Sequence, residues 1–157
     1  MERKKYTNIQ VMEYDINSDI STILLQELSS KLHQITENSG EASFNKKDAE
    51  GEKSIFVVAI LDNEPIGCGA IRKINDYTAE VKRMYAQTSG FGVGTCILNH
   101  LENRARAFGY TTLICETRKI NTDAIAFYFK NDFHVIENYG CYVGSDEAVC
   151  FEKKLNI

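Results

Sequence analysis

The sequence predicts an α+β domain: a mixed, mostly antiparallel central sheet of about six to seven strands flanked by helices. Three observations carry this prediction. Apolar runs between Ser54 and Ala86 follow one another with only short polar breaks, the pattern of an antiparallel meander. After Gly94 the hydrophobic period changes from that of a strand to that of a helix. Beyond Gly109 a strand, a short helix and two further strands follow. Residues 1–157 read as a single domain, long enough to enclose a full core.

Ile9 to Tyr14 reads as the first strand. Asp19 is placed to cap a helix whose apolar residues fall at Ile20, Ile23, Leu24, Leu28, Leu32 and Ile35. Asn38 to Lys53 is polar, carries Gly40 and Gly51, and reads as a loop. Its one large apolar residue, Phe44, is expected to fold back over the body or over a ligand. Ser54 to Leu61 and Ile66 to Lys73 form a hairpin around the turn Asp62-Asn63-Glu64-Pro65. Thr78 to Ala86 is the third strand of the meander. The next helix places Ile97, Leu98, Leu101, Ala105 and Phe108 on one face, with Asn99, Glu102, Asn103, Arg104 and Arg106 opposite. Gly109 ends it. Thr111 to Thr117 is a strand, Asn121 or Thr122 caps a short helix through Asn131, and Phe133 to Glu137 and Ala148 to Leu155 are the last strands.

Bulk properties narrow the function. Hydrophobic residues make up 43% and charged residues 25%, with net charge −4 and a pI near 5.4. An acidic balance weighs against a nucleic-acid or anionic-membrane partner, which favours a basic face. No apolar stretch is long enough for a membrane span. Met1-Glu2-Arg3-Lys4-Lys5 is basic, but no apolar run follows, so no secretory signal is expected. The five cysteines are odd in number and form no CxxC pair. They read as reduced, mostly packed thiols of a cytoplasmic protein, with no metal site.

The chemistry starts at Ser89-Gly90-Phe91-Gly92-Val93-Gly94, continuing into Thr95. Alternating glycines between a strand and a helix let backbone approach a ligand closely. The helix start offers unpaired N–H groups and a positive dipole end. Together these make a phosphate cradle. Two phosphate ligands compete. A dinucleotide would want G-x-G-x-x-G after a buried parallel strand and an acid about 20 residues on, where Glu116 sits nearby. The spacing here is G-x-G-x-G, and the preceding strand carries Glu80, Lys82 and Arg83. That favours the pyrophosphate of coenzyme A.

Ala79 to Ala86, the glycine turn and the helix to Gly109 resemble the acetyl-CoA motif of the GNAT superfamily of N-acetyltransferases. Asn121 to Phe133 resembles its next motif, N-x-x-A-x-x-x-Y-x-x-x-G-F, and Val149 to Lys153 is similar to a small-molecule branch. The chain departs from the pattern in three places. Ser89 stands where Gln or Arg is usual, the loop from Met84 to Gly90 is short and lacks proline, and Asp132 replaces a glycine expected at positive φ. Lys130 or Arg118 is placed to supply the missing charge.

The resemblance implies acetyl-CoA as cofactor and direct transfer of acetyl to a primary amine of a small molecule or amino-acid-like acceptor. The alternative is a catalytically silent acyl-CoA-binding module. A homodimer is left open. Tyr128 matches the general acid that protonates the departing sulfur. The strand edge at Met84, Tyr85 and Ala86 matches the binder of the pantetheine arm, in a strand that splays from its neighbour. Asn121, Phe127 and Lys130 join the cofactor set, with a plain helix N-cap as the other reading of Asn121.

The amine must lose its proton, so a base is needed. Glu80 is the first candidate, with a salt-bridged structural carboxylate as its other reading; Glu116 is the second, and water relays are a third route. Even spacing puts Glu80, Lys82, Met84 and Ala86 on one strand face. Tyr139 and Tyr142 are expected to wall the acceptor pocket. No neighbouring His or acid supports Cys115, Cys141 or Cys150 as a covalent acetyl carrier.

Overall fold

The computed structural model describes residues 5–40 and 44–156. Among them, seven strands form one sheet: β1 (Gln10–Glu13), β2 (Ile55–Leu61), β3 (Glu64–Lys73), β4 (Thr78–Ala86), β5 (Thr112–Arg118), β6 (His134–Ile136) and β7 (Ala148–Lys154). Their order is β1-β2-β3-β4-β5-β7-β6. Every neighbouring pair is antiparallel except β4 and β5, which run parallel. Helices α1 (Asp19–Thr36), α2 (Val93–Phe108) and α3 (Thr122–Lys130) complete the mixed α+β architecture that the sequence predicts. No described helix is long and apolar enough to cross a membrane.

The continuous apolar run of β2 follows from burial on both faces. Val57 and Ala59 join the core under α2, with Ile97, Leu98, Leu101, Leu113 and Phe151. Phe56 and Val58 face the opposite cluster, with Leu24 of α1, Cys68 and Ala70. Each side chain removed from water contributes roughly 1.5–3 kcal/mol, so both helices are held by packing more than by propensity.

Local chemistry departs from the expected boundaries in identifiable places. Ser18 caps α1, its hydroxyl accepting from the Ser21 N–H, and Asp19 sits in the first turn, where the helix dipole favours negative charge. The β2–β3 turn is tighter than expected. Asp62 and Asn63 take φ of 51° and 66°, the left-handed pair of a two-residue turn, and β3 already starts at Glu64. Asp132 takes φ 69°, as its place in the second motif requires. Within the expected loop 38–53, Asn45 and Asp48 form a reciprocal capping box around a 3₁₀ turn, Lys46–Ala49. Phe44 packs on the α1-side cluster, so it folds over the body.

Two features of β4 create the site. Pairing of β4 with β5 stops at Glu80↔Ile114, although β4 runs on to Ala86 and β5 to Arg118. The strands part there, as the family resemblance implies. A bulge then interrupts β4 against β3: Lys82 faces Ala70, but Tyr85 faces Cys68, and Arg83 takes φ 56°. The bulge corrects the even-spacing expectation. Ala79 and Val81 lie on the α2 side, and so do Met84 and Ala86 beyond the bulge. Glu80 and Lys82 therefore face the α1 side, where Tyr85 also packs.

Candidate active site

A cavity of about 310 Å³ opens where β4 and β5 part. Its walls are Val81 to Ala86 of β4, Glu116 to Arg118 of β5, the later turns of α1, and the first turns of α3. Ser89, Gly94, Tyr128 and Tyr142 also line it. Every residue from Val81 to Ala86 lies beyond the last β4–β5 pair, so this strand edge faces the cavity and not a ladder.

The glycine turn delivers α2 to one end of the cavity. Gly92 is the helix N-cap at φ 86°, no side chain among the described residues caps it, and the first turn holds no acidic residue. Among the described residues, no side chain competes with an anion for the first-turn amides. Gly94 is required by close packing: a Cβ there would lie 2.9 Å from Cε1 of Phe127. The junction of α2 and α3 thus closes to a distance that only glycine allows.

Of the expected cofactor residues, Met84, Tyr85, Ala86, Ser89, Gly94, Asn121 and Phe127 line the cavity. Val93 is buried in the α2-side core, and Phe91 stacks on Tyr6 at 4.5 Å between ring centroids. Gly90, Gly92 and Thr95 shape the turn without lining the cavity. Lys130 lies exposed at the far end of α3, whereas the near end of that helix faces the cavity. Arg118 does line the cavity, and it pairs with Glu147 at 2.8 Å. Asn121 serves as N-cap of α3, its side chain accepting from the Ala124 N–H.

Tyr128 is buried, its ring packed among Phe127, Phe133 and Phe151. Burial, with the Cys115 thiol beside it, holds its pKa well above that of free tyrosine. Such a group stays protonated across the physiological range and is available as a proton donor.

The acidic candidates part company. Glu80 is fully buried and accepts from Arg72 at 2.6 Å and from the Tyr139 hydroxyl, and it does not line the cavity. Arg72 also binds Asp48 at 2.8 Å. The Glu80 carboxylate is thus held in a salt-bridged network, the structural one of its two sequence readings. Tyr139 belongs to this network rather than to the cavity wall. Glu116 does line the cavity. Burial raises its pKa, against the lowering influence of Lys82, Arg118 and the neighbouring Tyr142 hydroxyl. Lys82 in turn donates to the Tyr142 hydroxyl at 2.9 Å, and burial lowers its pKa. Lys82, Tyr142 and Glu116 therefore lie together at the cavity surface.

Sequence reasoning read Lys82 only as a strand residue beside Glu80, and it missed Arg72 and Asp48. A charged residue at every second place in a buried strand was the available signal. The bulge and the pairing with the distant 3₁₀ turn had none.

This arrangement of a splayed parallel pair, a glycine turn at a helix start and a buried tyrosine defines an acyl-transfer enzyme built around a phosphate-bearing cosubstrate. The profile of the acetyltransferase (GNAT) family matches residues 20–133, and the chain belongs to that family of N-acetyltransferases. An IAA acetyltransferase of Azospirillum brasilense is 35% identical over 102 residues, 63% of this chain and 66% of that protein, so the chain spans just under two-thirds of its relative's length. Among solved structures, a proposed acyl-CoA N-acyltransferase from Klebsiella pneumoniae superposes with a TM-score of 0.80 at 23% identity, covering 95% of this chain and 99% of that one. A GNAT acetyltransferase from Elizabethkingia anophelis with acetyl-CoA bound gives 0.71 at 16% identity, covering 96% and 100%.

Acetyl-CoA is the cosubstrate that family membership entails, and the residues fit it. The α2 start suits a pyrophosphate, and the β4 edge beyond its last pair with β5 suits an amide-bearing arm. Bound there, it supplies an activated thioester acetyl group.

Proposed function

We propose that this enzyme transfers acetyl directly to the primary amine of a small molecule or amino-acid-like acceptor. The observation that carries this reading is the convergence of Tyr128, Glu116 and the β4 edge on one cavity between the parted strands. The α2 start holds the phosphates, and the edge from Met84 to Ala86 holds the pantetheine arm. Glu116 takes the proton of the incoming amine, and Tyr142 holds its carboxylate in place. Tyr128 protonates the departing sulfur. The backbone N–H groups of the β4 edge polarise the acetyl carbonyl.

The relative's name, IAA acetyltransferase, supports a small-molecule acceptor. Net charge −4 fits that better than a nucleic acid. The five free thiols, three of them buried, support a cytoplasmic setting. The cofactor arm of this reading is tested by thermal shift. Coenzyme A raises the melting temperature and NAD leaves it unchanged; the reverse result would overturn the assignment. The acceptor arm is tested by mass spectrometry of acetylated products from an amine panel.

A further inference from the structure

We propose that Lys82 is itself an acetyl acceptor, so that the enzyme modifies its own cavity wall when no external amine is seated. The inference rests on the acetyl-transfer reading above and extends it to a residue of this chain. Lys82 carries the primary amine that the reaction consumes. It lies on β4 one residue before the bulge, at the end of the strand where pairing with β5 has already ceased. Its side chain lines the same cavity as Met84, Glu116, Tyr128 and Tyr142.

The neighbourhood is equipped for the step. The Lys82 ammonium donates to the Tyr142 hydroxyl at 2.9 Å, and Glu116 lines the same cavity beside them. A proton leaving Nζ thus has a carboxylate within its own cavity to receive it. Burial also lowers the Lys82 pKa, so the neutral amine forms at lower pH than on an exposed lysine.

The balance is that of an ordinary aminolysis. The Nζ lone pair forms an amide bond to the thioester carbonyl carbon, and the carbon–sulfur bond breaks. Nζ first gives one proton to Glu116 and becomes the neutral amine; its second proton, lost as the amide forms, restores Tyr128, which has given its own proton to the departing sulfur so that it leaves as a thiol. The modified side chain is neutral and longer, and it occupies part of a cavity of about 310 Å³. Acetylation therefore obstructs the acceptor side and dampens turnover when amine is scarce.

The test is a time course of wild-type protein with acetyl-CoA and no amine, read by intact mass and peptide mapping. The expected result is a gain of about 42 Da per chain, located at Lys82. It should form about tenfold or more faster than any acetylation of the exposed Lys119 and Lys130. Tyr128→Phe should slow it by a similar factor, which uncatalysed acetylation would not show. Absence of the adduct, equal labelling of the three lysines, or an unchanged rate in Tyr128→Phe would each overturn the proposal. Amine-dependent thiol release in parallel samples separates this failure from failure of the acetyl-transfer reading.

Discussion

The Lys82 ammonium donates a 2.9 Å hydrogen bond to the Tyr142 hydroxyl, joining a strand of the meander to the 3₁₀ turn Gly140–Tyr142 between β6 and β7. Two residues earlier on the same strand face, Glu80 binds Tyr139 at the start of that turn. One short connection is thus pinned twice to β4. The outer tether opens on the cavity and the inner one is sealed beneath it. This division underlies the proposal that Glu116 handles the amine proton while Glu80 holds the scaffold.

Tyr128→Phe is expected to lower kcat by about a hundredfold, within the range for loss of a general acid. The ring and its packing against Phe133 and Phe151 remain, so acetyl-CoA affinity should change little. Steady-state kinetics with a separate binding titration check both halves.

Glu116→Gln is expected to remove the acid-side limb of the pH–rate profile. Burial raises the Glu116 pKa, so the basic carboxylate forms only above the usual carboxylate range. In wild type, kcat/KM should fall as pH drops through that raised value. In the Gln variant it should be low and flat across the same interval. A retained limb would transfer the base role elsewhere.

Glu80→Ala is expected to cost about 3 kcal/mol of stability, the lower end for breaking a buried ion pair. The lower end applies because Arg72 keeps Asp48 and its side chain is 25% exposed. Glu80→Gln keeps an acceptor for Tyr139 and should cost less. Chemical denaturation gives the magnitudes. The pH–rate profile of Glu80→Gln should keep its wild-type shape, since Glu80 does not line the cavity.

Gly94→Ala is expected to weaken acetyl-CoA binding about tenfold or more. The new methyl would sit 2.9 Å from the Phe127 ring and push α3 from the α2 start. Calorimetric titration checks it, with circular dichroism showing that the fold persists.

Much of this was legible in the residues. Period changes gave the elements, Gly109 marked the end of α2, and Asn121 to Phe133 located Tyr128 on a short helix. The sequence left Glu80 open between base and salt-bridged carboxylate, because a strand pattern assumes unbroken alternation. The bulge at Arg83 breaks it, and the partners that occupy Glu80 come from Arg72 and Tyr139, eight and 59 residues away. A motif likewise fixes the order of residues along α3 but not which of them meet the cavity: Phe127 and Tyr128 do, and Lys130 does not.

The central claim is amine-dependent acetyl transfer. It is tested most directly by following release of coenzyme A thiol from acetyl-CoA across a panel of small primary amines. The account predicts that at least one amine accelerates thiol release well above the amine-free rate, with acetyl appearing on that amine. Saturable acetyl-CoA binding with no amine-stimulated release would contradict it and leave a cofactor-binding module without catalysis.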